Sequence, residues 1–158
     1  MKTICIVSVL LVLLFGSCKN QPHIELTEKQ KASIENKVKD LYSHAISNLS
    51  KMDMEVWSEP WSQNSPVTVN SGAMYFDSFG EFKDSVTQWF SFREKQNVEI
   101  LHLDAMAFNP KYVLIKGCNK WDITFKNGDT LNADALATLL WKKEEEGWKI
   151  IHLHESWQ

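Results

Sequence analysis

The stretch whose reading decides the fold closes the chain: Gly147–Gln158, GWKIIHLHESWQ. A glycine opens it, and bulky apolar residues then alternate with polar ones, the two-residue period of a β-strand with one buried face. Strict alternation places Trp148, Ile150, His152 and His154 on the same face. Two imidazoles two residues apart on a strand can serve as metal ligands, as an acid–base pair, as polar lining of a pocket, or as hydrogen-bonded packing.

Working back from that strand, the second half of the chain keeps the same texture. VEILHLDAMAF ends at Asn109-Pro110, KYVLIKGCNKWDITF ends at Asn127-Gly128, and TLNADALATLLWKK ends at EEEG. Asn-Gly between two β-rich runs is a hairpin signal, so four long strands form an antiparallel meander. The first half reads differently. A capping box at Thr27–Gln30 opens a helix over residues 28–50, with Ile34, Val38, Leu41, Ala45, Leu49 and Met52 as its apolar stripe. Asp53 caps a short second helix from Met54 to about Glu59, before Pro60. PVTV, the turn NSG and AMYF make a short hairpin, and SFGE opens a third helix at Ser78. The class is α+β: three helices in the N-terminal half pack on a strongly curved antiparallel sheet, made of the short hairpin and the four-stranded meander.

The first residues, MKTICIVSVLLVLLFGSC, carry Lys2, an apolar run from Ile4 to Phe15, and small residues before Cys18. This is the layout of a signal peptide over residues 1–17. Phe-Gly-Ser-Cys resembles a bacterial lipobox, with Cys18 as the lipidated first residue of the mature protein. Residues 18–26 form a tether and residues 27–158 one domain. The expectation is an exported protein, anchored by lipid to a membrane of the bacterial envelope. With Cys5 removed and Cys118 alone, the fold rests on its core instead of a disulfide. The formal charge of −3 and the lack of a basic run argue against a nucleic-acid partner.

The element order, together with Gly147-Trp148, a basic residue, two aliphatics and His152-x-His154, resembles the nuclear transport factor two-like superfamily and its SnoaL-like members. The resemblance spans residues 27–157 and implies a cone, with a sheet wrapped on three helices around a pocket. It also implies frequent dimers through the outer face of the sheet. It implies no particular reaction, since the superfamily holds isomerases, dehydratases, cyclases and assembly modules.

Candidate site residues follow from chemistry. His152 and His154 are acid–base candidates near neutral pH. Asp134, in an apolar strand, is a candidate base, and counting across Asn127-Gly128 sets it beside Trp121. His102 and Asp104 on a neighbouring strand complete an imaginable metal set, but no ligand spacing supports it, and neither a metal nor a cofactor is expected. Members resembling ketosteroid isomerases carry a first-helix tyrosine and an acidic base after the first hairpin strand. Tyr42 fits the former, whereas Asn70 stands at the latter and cannot take up a proton. Tyr42, Trp57, Trp61, Trp89, Trp121, His102, His152 and His154 are the expected pocket lining, an aromatic wall with a few polar groups. The leading expectation is therefore a pocket for a small, partly apolar molecule. An isomerase, dehydratase or hydrolase using pocket His and Asp, and a dimerising structural or interaction module, stand as alternatives.

Overall fold

The computed structural model describes residues 25–158. The expected signal segment 1–17, the expected lipidation site Cys18 and the expected tether up to residue 24 lie outside the described residues. Helix α1 (Glu28–Leu49) starts at the capping box, where Thr27 Oγ1 accepts from Gln30 N–H and the Gln30 side chain returns to Thr27 N–H. Helix α2 (Met54–Ser58) is capped by the Asp53 carboxylate, which accepts from Glu55 and Val56 N–H. Strands β1 (Thr68–Ser71) and β2 (Met74–Phe76) form the short hairpin. Helix α3 (Phe79–Phe92) is capped by Ser78. Strands β3 (Arg93–Asn109), β4 (Tyr112–Phe125), β5 (Thr130–Glu144) and β6 (Gly147–Trp157) make the meander.

The six strands form one sheet in the order β2-β1-β6-β5-β4-β3. The sheet is mixed, in contrast to the antiparallel sheet expected from the hairpin patterns. β1 joins the far edge of the meander parallel to β6, with Thr68 opposite His152 and Asn70 opposite His154. The chain reaches that edge by passing over the sheet, and this crossover orientation is not encoded in local pattern. The inner face packs against the helices through Val113, Ile115, Ile123 and Trp141, all essentially inaccessible, together with Val38 and Val69.

Bulges supply the curvature. β3 carries extra residues at Glu94, Leu101 and Phe108, and β6 carries one at Ile151, where Trp141 pairs with Ile150 but Leu140 pairs with His152. Each extra residue bends the strand and reverses which parity faces inward. In β6, Trp148 and Ile150 are buried before the bulge, and Leu153 is buried after it. His152 and His154 therefore do not share a face with Trp148 and Ile150, contrary to the strict alternation read from the sequence. The bulge in β3 separates inward Val98 from inward Leu103 in the same way and leaves His102 exposed.

The β4–β5 turn shifts another position. Phe125 N–H bonds to Asp129 O, and Thr124 pairs with Thr130, so three residues form the loop instead of two. Asp134 consequently stands opposite Lys120, while Ala133 takes the place beside Trp121. This one-residue displacement puts Asp134 on the exposed outer face.

Candidate functional site

A cavity of about 100 Å³ lies between α1, the α2–β1 segment, α3 and the inner face of β4–β6. Its existence follows from residue sizes. Where flanking inward positions hold Ile115 and Trp141, the central ones hold Gly117, Ala135 and Ala137. Tyr42 fills part of that space. A Cβ at Gly117 would stand 2.6 Å from Tyr42 Oη, so only glycine admits the ring at this depth.

Aromatic side chains form one wall. The ring centroids of Trp57 and Trp61 are 5.6 Å apart, and Phe82 lies 5.4 Å and 5.3 Å from them. Trp61 is fixed by backbone pairing as well as by packing. It bridges to Ile150, with Ser62 N–H bonding to Ile150 O and Ile150 N–H to Pro60 O. Just beyond it, the Ser62 and Ser65 hydroxyls donate to Glu144 Oε1 at 2.8 and 2.6 Å. These bonds hold the Glu144 carboxyl below its ordinary range and tie the loop to the β5–β6 hairpin. Leu139, Ile150 and Leu153 close the apolar surface.

The polar groups gather on the sheet side. Asn119 Nδ2 donates to Tyr42 Oη at 2.6 Å. Burial, only partly offset by that bond, pushes the Tyr42 hydroxyl up to about 12, so it keeps its proton. Glu155 projects inward because the Ile151 bulge precedes it. Its Oε2 accepts from Ser71 Oγ at 2.9 Å and from Trp157 Nε1 at 3.2 Å. Burial raises its carboxyl above the usual range, against the lowering effect of those two bonds and of the Arg93 charge. Arg93 lies over Phe90 at 6.0 Å and Trp121 at 5.8 Å, and donates to Gln96. Two buried lining atoms lack a hydrogen-bond partner, Asn119 Oδ1 and Trp121 Nε1. Each such atom costs about 1–3 kcal/mol when left unpaired.

Of the residues the sequence suggests, Tyr42, Trp57, Trp61 and Trp121 line this cavity. Trp89 sits behind the wall, 6.1 Å from Phe82. His152, His154, His102 and Asp134 are elsewhere. His152 Nδ1 lies 2.8 Å from Thr68 Oγ1 in a β1–β6 contact, and the other three are exposed on the sheet. Asp104 pairs with Lys116 at 3.1 Å on the outer face. Among the described residues no three His, Cys, Asp or Glu side chains converge as a metal site. Glu155, Asn119 and Phe82 also line the cavity; strict alternation misses only Glu155, because Asn119 keeps the parity of Trp121 in β4 and Phe82 lies on helix α3. The usable signal was the adjacent aliphatic pair Ile150-Ile151, where the apolar phase shifts from 148 and 150 to 151, 153 and 157.

The raised Glu155 carboxyl has a consequence for stability. The folded state holds this proton at pH values where the unfolded chain releases it, so stability falls as pH rises from the ordinary carboxylate range through the folded value. In urea melts from pH 4 to pH 8, the wild type is expected to lose more stability than Glu155→Gln, whose side chain does not titrate. Parallel pH profiles for the two proteins would refute the assignment.

No curated protein matches the chain. Solved structures match its fold. A nuclear transport factor 2 (NTF2-like) superfamily protein from Salmonella enterica aligns with a TM-score of 0.71 at 12% identity, covering 79% of this chain and 91% of that one. An NTF2-like protein of unknown function from Pseudomonas putida aligns at 0.68 with 14% identity, covering 79% and 87%. Hexachlorocyclohexane dehydrochlorinase LinA-type3 from Novosphingobium barchaimii aligns at 0.65 with 14% identity, covering 80% and 87%. At these identities the likeness establishes the fold alone. The family model of the SnoaL-like domain matches residues 38–158, and the chain belongs to that family, with an NTF2-like fold.

Proposed function

We propose that the protein binds a small, partly apolar molecule in the cone cavity and is held at the cell envelope by a lipid on Cys18. The observation that carries the binding reading is the aromatic-walled cavity with unpartnered polar atoms on its sheet side. Such a wall with few polar groups is the usual make-up of a small-molecule site. A volume near 100 Å³, below the ~150 Å³ of a cavity that takes benzene, limits the enclosed part of a ligand to one ring at most. Tryptophan fluorescence tests the reading through Trp57, Trp61 and Trp121. Titration with ring-sized apolar probes should change the emission saturably, and a flat response across the series would overturn it. The anchor is tested by metabolic labelling with a fatty acid, which should mark the wild type and not Cys18→Ala.

An acid–base enzyme built on His152, His154 and Asp134 has no support in the cavity geometry, because none of the three lines it. Proton transfer in this cavity would fall to Glu155. The homodimer reading rests on a different observation. Met106, Leu114 and Leu140 form a cross-strand row on the outer face, and Leu136 lies in the row beyond the Asp104–Lys116 pair. Leu136 and Met106 are 44% and 43% exposed, which favours a covering partner over water. Light scattering should give twice the chain mass for the wild type and the single chain mass for Leu136→Lys. A wild-type monomer at high concentration would exclude the dimer.

A further inference from the structure

The sheet side of the cavity has a definite hydrogen-bond pattern. Trp121 is 7% exposed and offers an indole N–H with no acceptor. Asn119 is 2% exposed, and with Nδ2 committed to Tyr42 its Oδ1 has no donor. Glu155 lies on the same side, with Ser71 and Trp157 both donating to its Oε2. The cavity thus carries one unmatched donor, one unmatched acceptor and an apolar body.

We propose that the cavity selects a small neutral amide, its carbonyl oxygen accepting from Trp121 Nε1, its N–H donating to Asn119 Oδ1, and its apolar portion lying against Trp57, Trp61 and Phe82. This rests on the small-molecule reading above. Other chemistries match less well. A carboxylate has no proton for Asn119 Oδ1. An ammonium has no lone pair for the Trp121 N–H. A hydrocarbon leaves both groups unpaired.

Isothermal titration of the full chain at pH 6 with benzamide, benzoate, benzylamine and toluene tests the inference with four probes of one size. Benzamide is expected to bind at least about tenfold tighter than toluene, the effect of one to two net hydrogen bonds. Trp121→Phe should lower benzamide affinity about three- to tenfold and leave toluene unchanged. Equal affinity for toluene and benzamide, or tightest binding of benzoate or benzylamine, would overturn the amide assignment while leaving the pocket standing. Binding of none of the four would remove the pocket reading itself.

Discussion

Deleting Lys120 should leave the domain largely unfolded at room temperature, whereas deleting Ile151 should not. Lys120 is exposed but lies in the regular part of β4, paired with Glu99 on one side and Asp134 on the other. Without it, β4 must either slide by one residue against its neighbours or turn the residues after it over. In the second case Trp121 and Ile123 face outward, and Asp122 and Thr124 enter the apolar interior. Losing the burial of a tryptophan and an isoleucine costs about 3–5 kcal/mol, and burying two polar side chains without partners adds about 1–3 kcal/mol each. Together these approach the ~5–15 kcal/mol stability of an ordinary domain. Ile151 is the contrasting case, because it is the one residue between the consecutive pairs Trp141–Ile150 and Leu140–His152. Its removal lets His152 follow Ile150 directly, with Leu153, Glu155 and Trp157 still facing inward. Circular dichroism should show loss of cooperative unfolding for the Lys120 deletion and a cooperative melt for the Ile151 deletion. A normal melt for the first, or an unfolded second, would contradict this account of the inward set of side chains.

Trp141→Ala should cost about 3–5 kcal/mol, the largest effect among single substitutions in the core. Trp141 is fully buried in the last, turn-proximal part of β5, paired between Val113 and Ile150. It lies behind the position where Ile150 also receives the Trp61 loop. Its indole N–H has no partner, which allows a separation of size from polarity. Trp141→Phe keeps most of the ring volume and removes the orphan donor, so it should cost less than half as much as alanine. Urea unfolding of the pair measures both terms. Equal losses for Phe and Ala would show that the indole nitrogen, and not ring volume, anchors this strand.

The parts of the fold legible in the sequence are those set by local chemistry. Capping boxes at Thr27 and Ser78 mark helix starts, the stripe through Ile34, Val38, Leu41 and Leu49 marks the side of α1 that packs on the core, although the deeply buried Tyr42 and Ile46 lie beside it, and the turns at Asn109-Pro110, Asn127-Gly128 and Gly147 separate the long strands. What was not legible depends on counting across irregularities. Alternation is a parity rule, and one extra residue reverses it for everything downstream. Ile151 moved both terminal histidines away from the cavity and brought Glu155 in. Leu101 did the same to His102, and one additional loop residue moved Asp134 from Trp121 to Lys120. The parallel docking of β1 on β6, which brings Ser71 to Glu155, is set by a long-range crossover and leaves no mark in either strand.

Tryptophans and the first-helix tyrosine escaped these parity errors for a physical reason. Tyr42 is placed by helical periodicity, which has no bulge to accumulate. Trp57 and Trp61 sit on a helix and the loop after it, where proximity to the sheet edge is fixed by Asp53 and Pro60. Large aromatic rings also bury themselves wherever a cavity wall is available.

The central claim is that the space between Tyr42, Trp61 and the sheet is a binding cavity and not a packing remnant. The most direct measurement is the melting temperature of the wild type and of Ala137→Phe, each with and without saturating toluene. Ala137 lines the cavity beside Gly117, and a phenyl ring there occupies the ligand's volume. The account predicts a toluene-dependent rise in the wild type, of the size that binding to the native state alone produces, and none in Ala137→Phe. An equal rise in both proteins, or no rise in the wild type, would contradict it.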